Sequence, residues 1–68
     1  MPEPSNVDQL LIQAARRVGR ETVWSAMEAE EQLRGALRFG ITIAQAEQLL
    51  RVGLSPLFVA KTLGLDRV

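Results

Sequence analysis

The chain lacks cysteine, histidine and tyrosine, and Lys61 is its single lysine. Without cysteine it forms no disulfide, and without cysteine or histidine it cannot build the usual zinc, copper or haem ligand sets. Histidine is also the side chain that most often moves protons in catalysis, and no serine has a base beside it in the sequence. We therefore expect a non-enzymatic protein with no metal and no cofactor.

Long hydrophobic runs are also missing. No segment of 18 or more apolar residues occurs, which excludes a transmembrane helix on sequence grounds. The first residues lack the charged and apolar regions of a signal peptide. The sequence therefore predicts a cytoplasmic protein with no membrane partner.

Neither sign of charge is in excess. Eight basic and eight acidic residues give a formal net charge of zero. Strong nonspecific binding to nucleic acid usually needs a concentrated positive patch, and this balance supplies little of one.

Apolar residues, in contrast, are abundant at 47% of a 68-residue chain. We expect a flexible arm at residues 1–4, which carry two prolines, and one helical domain at residues 5–68. Small domains without disulfides or metals depend on efficient helix packing or on self-association. The apolar content exceeds what a small monomer easily buries, so we expect a homodimer or a partner-binding face.

A short signal occurs three times in the second half of the chain, as Gly40-Ile41-Thr42, Gly53-Leu54-Ser55 and Gly64-Leu65-Asp66. The glycine can end one helix, and the third residue can cap the next. The signal predicts short helices joined by tight turns.

The spacing of apolar residues predicts an all-α fold of four helices in an orthogonal arrangement, at about 6–18, 20–39, 43–52 and 56–63. Ser5 is expected to cap the first helix, and Gly19 to end or bend it. Gly35 lies inside the second predicted helix, where either another helix packs closely or the helix breaks. The predicted buried stripe of the second helix is Val23, Trp24, Met27, Leu33, Ala36 and Leu37.

Residues 55–68 resemble the first helix and turn of a helix-turn-helix. The matching positions are Val59, Ala60, Leu63, Gly64, Leu65 and Asp66. In that family the following helix reads the DNA major groove, and here it would follow Val68. A second register uses residues 56–63 as the reading helix, where only Lys61 and Thr62 could contact polar groups.

Residues 40–50 are similar to a helix-hairpin-helix, with Gly40-Ile41-Thr42 as the hairpin followed by alanines and leucines. That motif binds a phosphate through backbone N–H groups at a helix start. Thr42 stands where the motif has its second glycine.

Five cations are candidate nucleic-acid contacts. Arg16, Arg17 and Arg20 form the densest basic cluster, and Lys61 and Arg67 belong to the helix-turn-helix resemblance. The alternative is a solvated face that complements a helix C-terminus.

Four apolar residues are candidates for a protein interface: Trp24, Met27, Leu57 and Phe58. Tryptophan and methionine are enriched at interfaces, although Trp24 suits a core position equally well and Phe58 also reads as core.

Two functions are compatible with these features. The first is a small regulatory or adaptor protein, a type common in bacteria, that forms a homodimer and binds a protein partner through an apolar helical face. The alternative is a DNA-binding transcriptional regulator of the helix-turn-helix or helix-hairpin-helix type.

Overall fold

The computed structural model describes residues 6–64, which form four helices and no strand. The helices are α1 (Asn6–Glu21), α2 (Ala26–Arg38), α3 (Ile43–Arg51) and α4 (Pro56–Leu63). The predicted all-α, four-helix fold is confirmed. The predicted arm at residues 1–4 and the predicted caps at Ser5 and Asp66 lie outside the described residues.

The predicted second helix at 20–39 is wrong at its start. The first helix continues through Gly19 to Glu21, and the chain turns before α2 begins after Ser25. The Ser25 side chain accepts from the Glu28 N–H, and the Glu28 carboxylate accepts from the Ser25 N–H, at 3.0 and 2.9 Å. This reciprocal capping box fixes the start of α2.

Two glycines allow helices to approach each other closely. A Cβ added at Gly19 would lie 2.8 Å from the backbone nitrogen of Ala26, at the start of α2. A Cβ added at Gly35 would lie 2.9 Å from Leu57 Cδ1 of α4. Gly19 therefore does not end α1 as the sequence suggested, and of the two alternatives for Gly35 close packing is the correct one.

The turns after α2 and α3 have the predicted form. Gly40 and Gly53 adopt φ angles of 88° and 89°, which favour glycine. Thr42 caps α3 and Ser55 caps α4, each by accepting a hydrogen bond from the backbone N–H three residues later. Gly64 ends α4 in the same left-handed region.

Small side chains fill the core. Six of its eleven apolar residues are alanines, and Leu11, Val18, Leu33, Ile41 and Leu50 supply the rest. Helix α2 contacts all three other helices, while α1 and α4 do not touch within residues 6–64. The core therefore forms by close approach of helix backbones around α2.

Many large apolar side chains remain on the surface. The exposed ones are Val7, Leu10, Val23, Met27, Val52, Leu54, Phe58 and Leu63. The predicted buried stripe of the second helix is wrong at Val23 and Met27, which are 99% and 81% exposed, because the turn at residues 22–25 interrupts it. Phe58, also read as a core residue, is 68% exposed.

Candidate functional site

Helix α3 presents a charged side to α1. Arg17 of α1 donates two hydrogen bonds to the Glu47 carboxylate, Nε to Oε2 and Nη2 to Oε1, both at 3.1 Å. Arg51 donates to the same carboxylate at 3.0 Å and contacts Glu21 of α1 at 2.6 Å. Both charged residues of α3 are therefore paired, in a cluster of two acids and two bases.

The ion pairs hold Glu47 ionised. Its hydrogen bonds from Arg17, more than those from Arg51, hold its pKa below the ordinary value, and partial burial opposes them. The hydrogen bond to Glu47 likewise raises the pKa of Arg17. Both side chains are therefore charged and paired with each other at neutral pH.

The outer side of α3 carries no charge. Five residues line an open groove of about 590 Å³: Ile41, Gln45, Gln48, Leu49 and Val52. We call this surface the α3 face. Gln48 and Leu49 lie three and four residues after Gln45, so these three share one side of α3, and Ile41 and Val52 lie just beyond its two ends. The face is therefore a concave apolar strip with two amide side chains.

Hydrogen bonds leave the amides of the α3 face partly available. The Gln45 side-chain oxygen accepts from the Thr42 N–H at 3.1 Å as part of the α3 capping box. The Gln48 side chain is exposed and has no hydrogen bond to any residue between 6 and 64. Both residues can donate to a partner, and Gln48 can also accept.

A compositional signal for the α3 face was present in the sequence and was missed. From residue 39 to residue 60, Glu47 and Arg51 are the only charged residues, whereas 24% of the whole chain is charged. Depletion of charge is typical of the centre of a protein interface. The pairing of both charges with α1 could not be deduced from the local sequence.

The four predicted interface residues fall into two groups. The Trp24 indole N–H donates to the Leu50 carbonyl at 3.0 Å, and its ring packs against the core. Leu57 is half-buried beside Gly35. Met27 and Phe58 are exposed. Trp24 and Leu57 thus make contacts within the chain. The protein interface predicted for the four residues stays a prediction.

The predicted nucleic-acid contacts are dispersed. Arg17 is bound to Glu47, whereas Arg16, Arg20 and Lys61 are exposed and have no ion pair with the described part of the chain. Arg67 lies outside the described residues. Arg16 and Arg20 lie on α1, and Lys61 lies on α4. These two helices do not contact each other.

The hairpin resembling a helix-hairpin-helix uses its backbone N–H groups internally. Gly40 donates to Leu37, Ile41 donates to Ala36, and Thr42 donates to the Gln45 side chain. A phosphate would have to compete with these acceptors. In the helix-turn-helix register, α4 buries Pro56 and Ala60, and Lys61 is its only cation.

Within 6–64, no group of three or more acidic residues is placed to hold a metal ion. Among the helices described there, none has the length and apolar character needed to cross a membrane. No known protein family matches the chain, and neither does any curated protein or solved structure.

Proposed function

We propose that the protein is a non-enzymatic regulatory or adaptor protein that binds another polypeptide through the α3 face. One observation carries this proposal: the groove of the α3 face is lined only by apolar and amide side chains, while both charged residues of the helix are paired on the side that meets α1. Interface centres are depleted in charge, and concave apolar strips accept apolar side chains of a partner helix.

The groove suits a polypeptide better than a small polar ligand. Leu49 and Val52 offer apolar contact, and the amides of Gln45 and Gln48 can orient a backbone or side-chain group. The groove is open to solvent, so a partner would cover it from outside. Action in the cytoplasm belongs to the same proposal and derives from the sequence alone.

DNA binding is the weaker candidate. The exposed cations Arg16 and Arg20 lie on a different helix from Lys61, and Arg17 is bound to Glu47. Affinity for DNA comes mainly from cations concentrated along the phosphate backbone. Because the exposed cations are spread over two helices, they support DNA binding only weakly. The uncharged groove is stronger support for a polypeptide partner.

Site-specific photo-cross-linking in cells tests the proposal. A benzophenone amino acid is placed at Gln48, and at Gln13 as a matched control, because both are exposed helical glutamines. We expect a polypeptide adduct from position 48 and none from position 13. An adduct with nucleic acid, or equal labelling from both positions, would contradict the proposal.

A direct measurement addresses the DNA alternative. Fluorescence anisotropy of a labelled mixed-sequence duplex at low salt is compared for the natural protein and for a double variant, Arg16→Glu with Arg20→Glu. The proposal predicts no binding in either case. Salt-sensitive binding that the double variant loses would favour the DNA-binding function instead.

A further inference from the structure

We infer that the polypeptide bound by the α3 face is a second copy of this chain, related by a two-fold axis close to Gln48. The inference rests on the proposed function, because it names the partner of the same face.

The first reason is the small core of the single chain. Eight large apolar side chains are exposed within residues 6–64, whereas only five of the eleven buried apolar residues are larger than alanine. In a chain of this size a single hydrophobic core supplies little stability, and oligomerisation is one of the usual supports where disulfides are excluded. A second copy supplies further burial of apolar surface whenever the protein itself is present.

The second reason is the absence of charge at the centre of the face. A two-fold axis places each residue near its own copy, so a charge close to the axis would meet a charge of the same sign. The α3 face has no charge, and the neighbouring Glu47 and Arg51 are neutralised within a balanced cluster. Two copies of the face can therefore meet without charge repulsion, whereas a charged partner would find no opposite charge on it.

The third reason is the chemistry of the glutamines. An amide carries both a donor and an acceptor, so Gln48 can pair with the same residue of the copy. Gln45 keeps its amide N–H groups for donation because its oxygen is used by Thr42. Apolar contact then comes from Leu49 and Val52 on either side.

The contact has to extend beyond α3. A stable interface of standard size buries about 800 Å² on each partner. Helix α3 has nine residues and supplies only part of that area. Val52 of the α3 face and the following Leu54 are exposed apolar residues just past the end of α3. A two-fold packing that includes this turn brings more of the exposed apolar side chains out of water.

Introducing a positive or a negative charge at Gln48, next to the proposed axis, gives a specific test of the dimer. Gln48→Lys and Gln48→Glu are examined by sedimentation velocity, alone and mixed, across a wide range of protein concentration. The natural protein is expected at twice the 7.5 kDa mass of one chain. Each variant alone is expected to weaken the dimer about tenfold or more, and the mixture to restore it. Gln13→Lys and Gln13→Glu are the matched controls, expected to behave like the natural protein.

Three results would overturn the inference. They are the mass of one chain at every concentration, dimers unaffected by either Gln48 variant, and a mixture that remains monomeric. The Gln48 side chain is exposed and forms no hydrogen bond with the described residues, so its variants should keep the helical circular dichroism of the natural protein.

A second test uses the absence of cysteine. Gln48→Cys introduces the only thiol of the chain, so any disulfide reports contact between copies at that position. Oxidation should link the Gln48→Cys protein into dimers, and Gln13→Cys should form far fewer. Equal yields from both variants would count against the two-fold contact.

The two proposals can fail separately. If the natural protein is monomeric but a cross-linker at Gln48 captures a different polypeptide, the second copy is overturned and the proposed function stands. If it is monomeric and the cross-linker captures no polypeptide, both are overturned.

Discussion

Glu47 determines the character of helix α3. Its side chain is only 13% exposed, and it receives hydrogen bonds from Arg17 and Arg51. These contacts attach α3 to α1 and direct the charge of the helix inward. The apolar α3 face depends on this arrangement, since an unpaired charge at the same helix would draw water to its surroundings.

The lowered pKa of Glu47 predicts a dependence of stability on pH. The folded protein binds this proton less tightly than the unfolded chain, so the stabilisation is present above the ordinary glutamate pKa of 4.5. It is lost as pH falls through the lowered pKa. We expect Glu47→Gln to reduce the free energy of unfolding at neutral pH by about 1 kcal/mol and to flatten the acid dependence.

Urea unfolding at a series of pH values measures this effect. Glu31→Gln is the control, because Glu31 is exposed and has no ion pair with the described residues. An unchanged pH profile for Glu47→Gln would show that the pairs with Arg17 and Arg51 do not contribute to stability.

Gly19 predicts an unusual result for a helical glycine. Alanine is normally better than glycine inside a helix by about 1 kcal/mol. At Gly19 the added Cβ would meet the Ala26 backbone, which cannot move without shifting α2. We expect Gly19→Ala to destabilise the protein by about 1 to 3 kcal/mol in thermal denaturation followed by circular dichroism.

Gly35→Ala is the matched comparison. Its added Cβ would meet the end of the flexible Leu57 side chain, so a smaller loss is expected. If Gly19→Ala raised the melting temperature, the close approach of α1 and α2 would be refuted.

Among the helices, those bounded by Gly-aliphatic-cap signals were predictable from the sequence. Helix α4 begins and ends where predicted, because Ser55, Pro56 and Gly64 each favour one local conformation. The boundary between α1 and α2 was missed because Gly19 was read as a break. The true start, Ser25 with Glu28 three residues later, is a local signal that the sequence did contain.

The candidate site was harder to predict than the helices. The sequence left Trp24 open between a core and an interface position, and the fold packs that side chain against the core. The low charge of residues 39–60 hinted at the α3 face, but the pairing of Glu47 and Arg51 with Arg17 and Glu21, far away in sequence, could not be predicted. Such long-range pairing depends on how α1 crosses α3, which no local pattern specifies.

One side chain of α2 forms hydrogen bonds with the start of α4. The Gln32 side-chain oxygen accepts from the Ser55 hydroxyl at 2.6 Å and from the Leu57 N–H at 3.3 Å. We expect Gln32→Ala to reduce the free energy of unfolding by about 1 to 2 kcal/mol. Hydrogen exchange should show the largest loss of protection in α4, with α1 less affected.

Gln13→Ala is the control for this variant, because Gln13 is an exposed helical glutamine. Equal loss of protection in all four helices would mean that α4 does not open separately from the rest of the molecule.

As a whole, the molecule combines a centre of alanines with an apolar exterior. Helix α2 contacts every other helix, so its loss would leave no common core. The centre is closely packed but small, and large side chains such as Val52 and Phe58 remain in water. Association is the direct way for such a molecule to gain stability.

Association predicts that thermal stability depends on protein concentration. Dimer formation stabilises the folded state by mass action, so the melting temperature of the natural protein should rise with concentration. The Gln48→Lys variant should show the same rise only at concentrations about tenfold or more higher, because its dimer is weaker. A concentration-independent melting temperature for the natural protein would contradict a dimer that forms in this range.

The hydrogen bond from Trp24 to Leu50 has an optical consequence. The chain contains one tryptophan and no tyrosine, so its ultraviolet fluorescence on excitation of the indole comes from a single position. That indole is bonded to the end of α3, 26 residues away in sequence, on the helix that carries the α3 face. The intrinsic tryptophan fluorescence therefore reports when α3 packs against Trp24. Time-resolved refolding can be recorded from this signal with no dye attached.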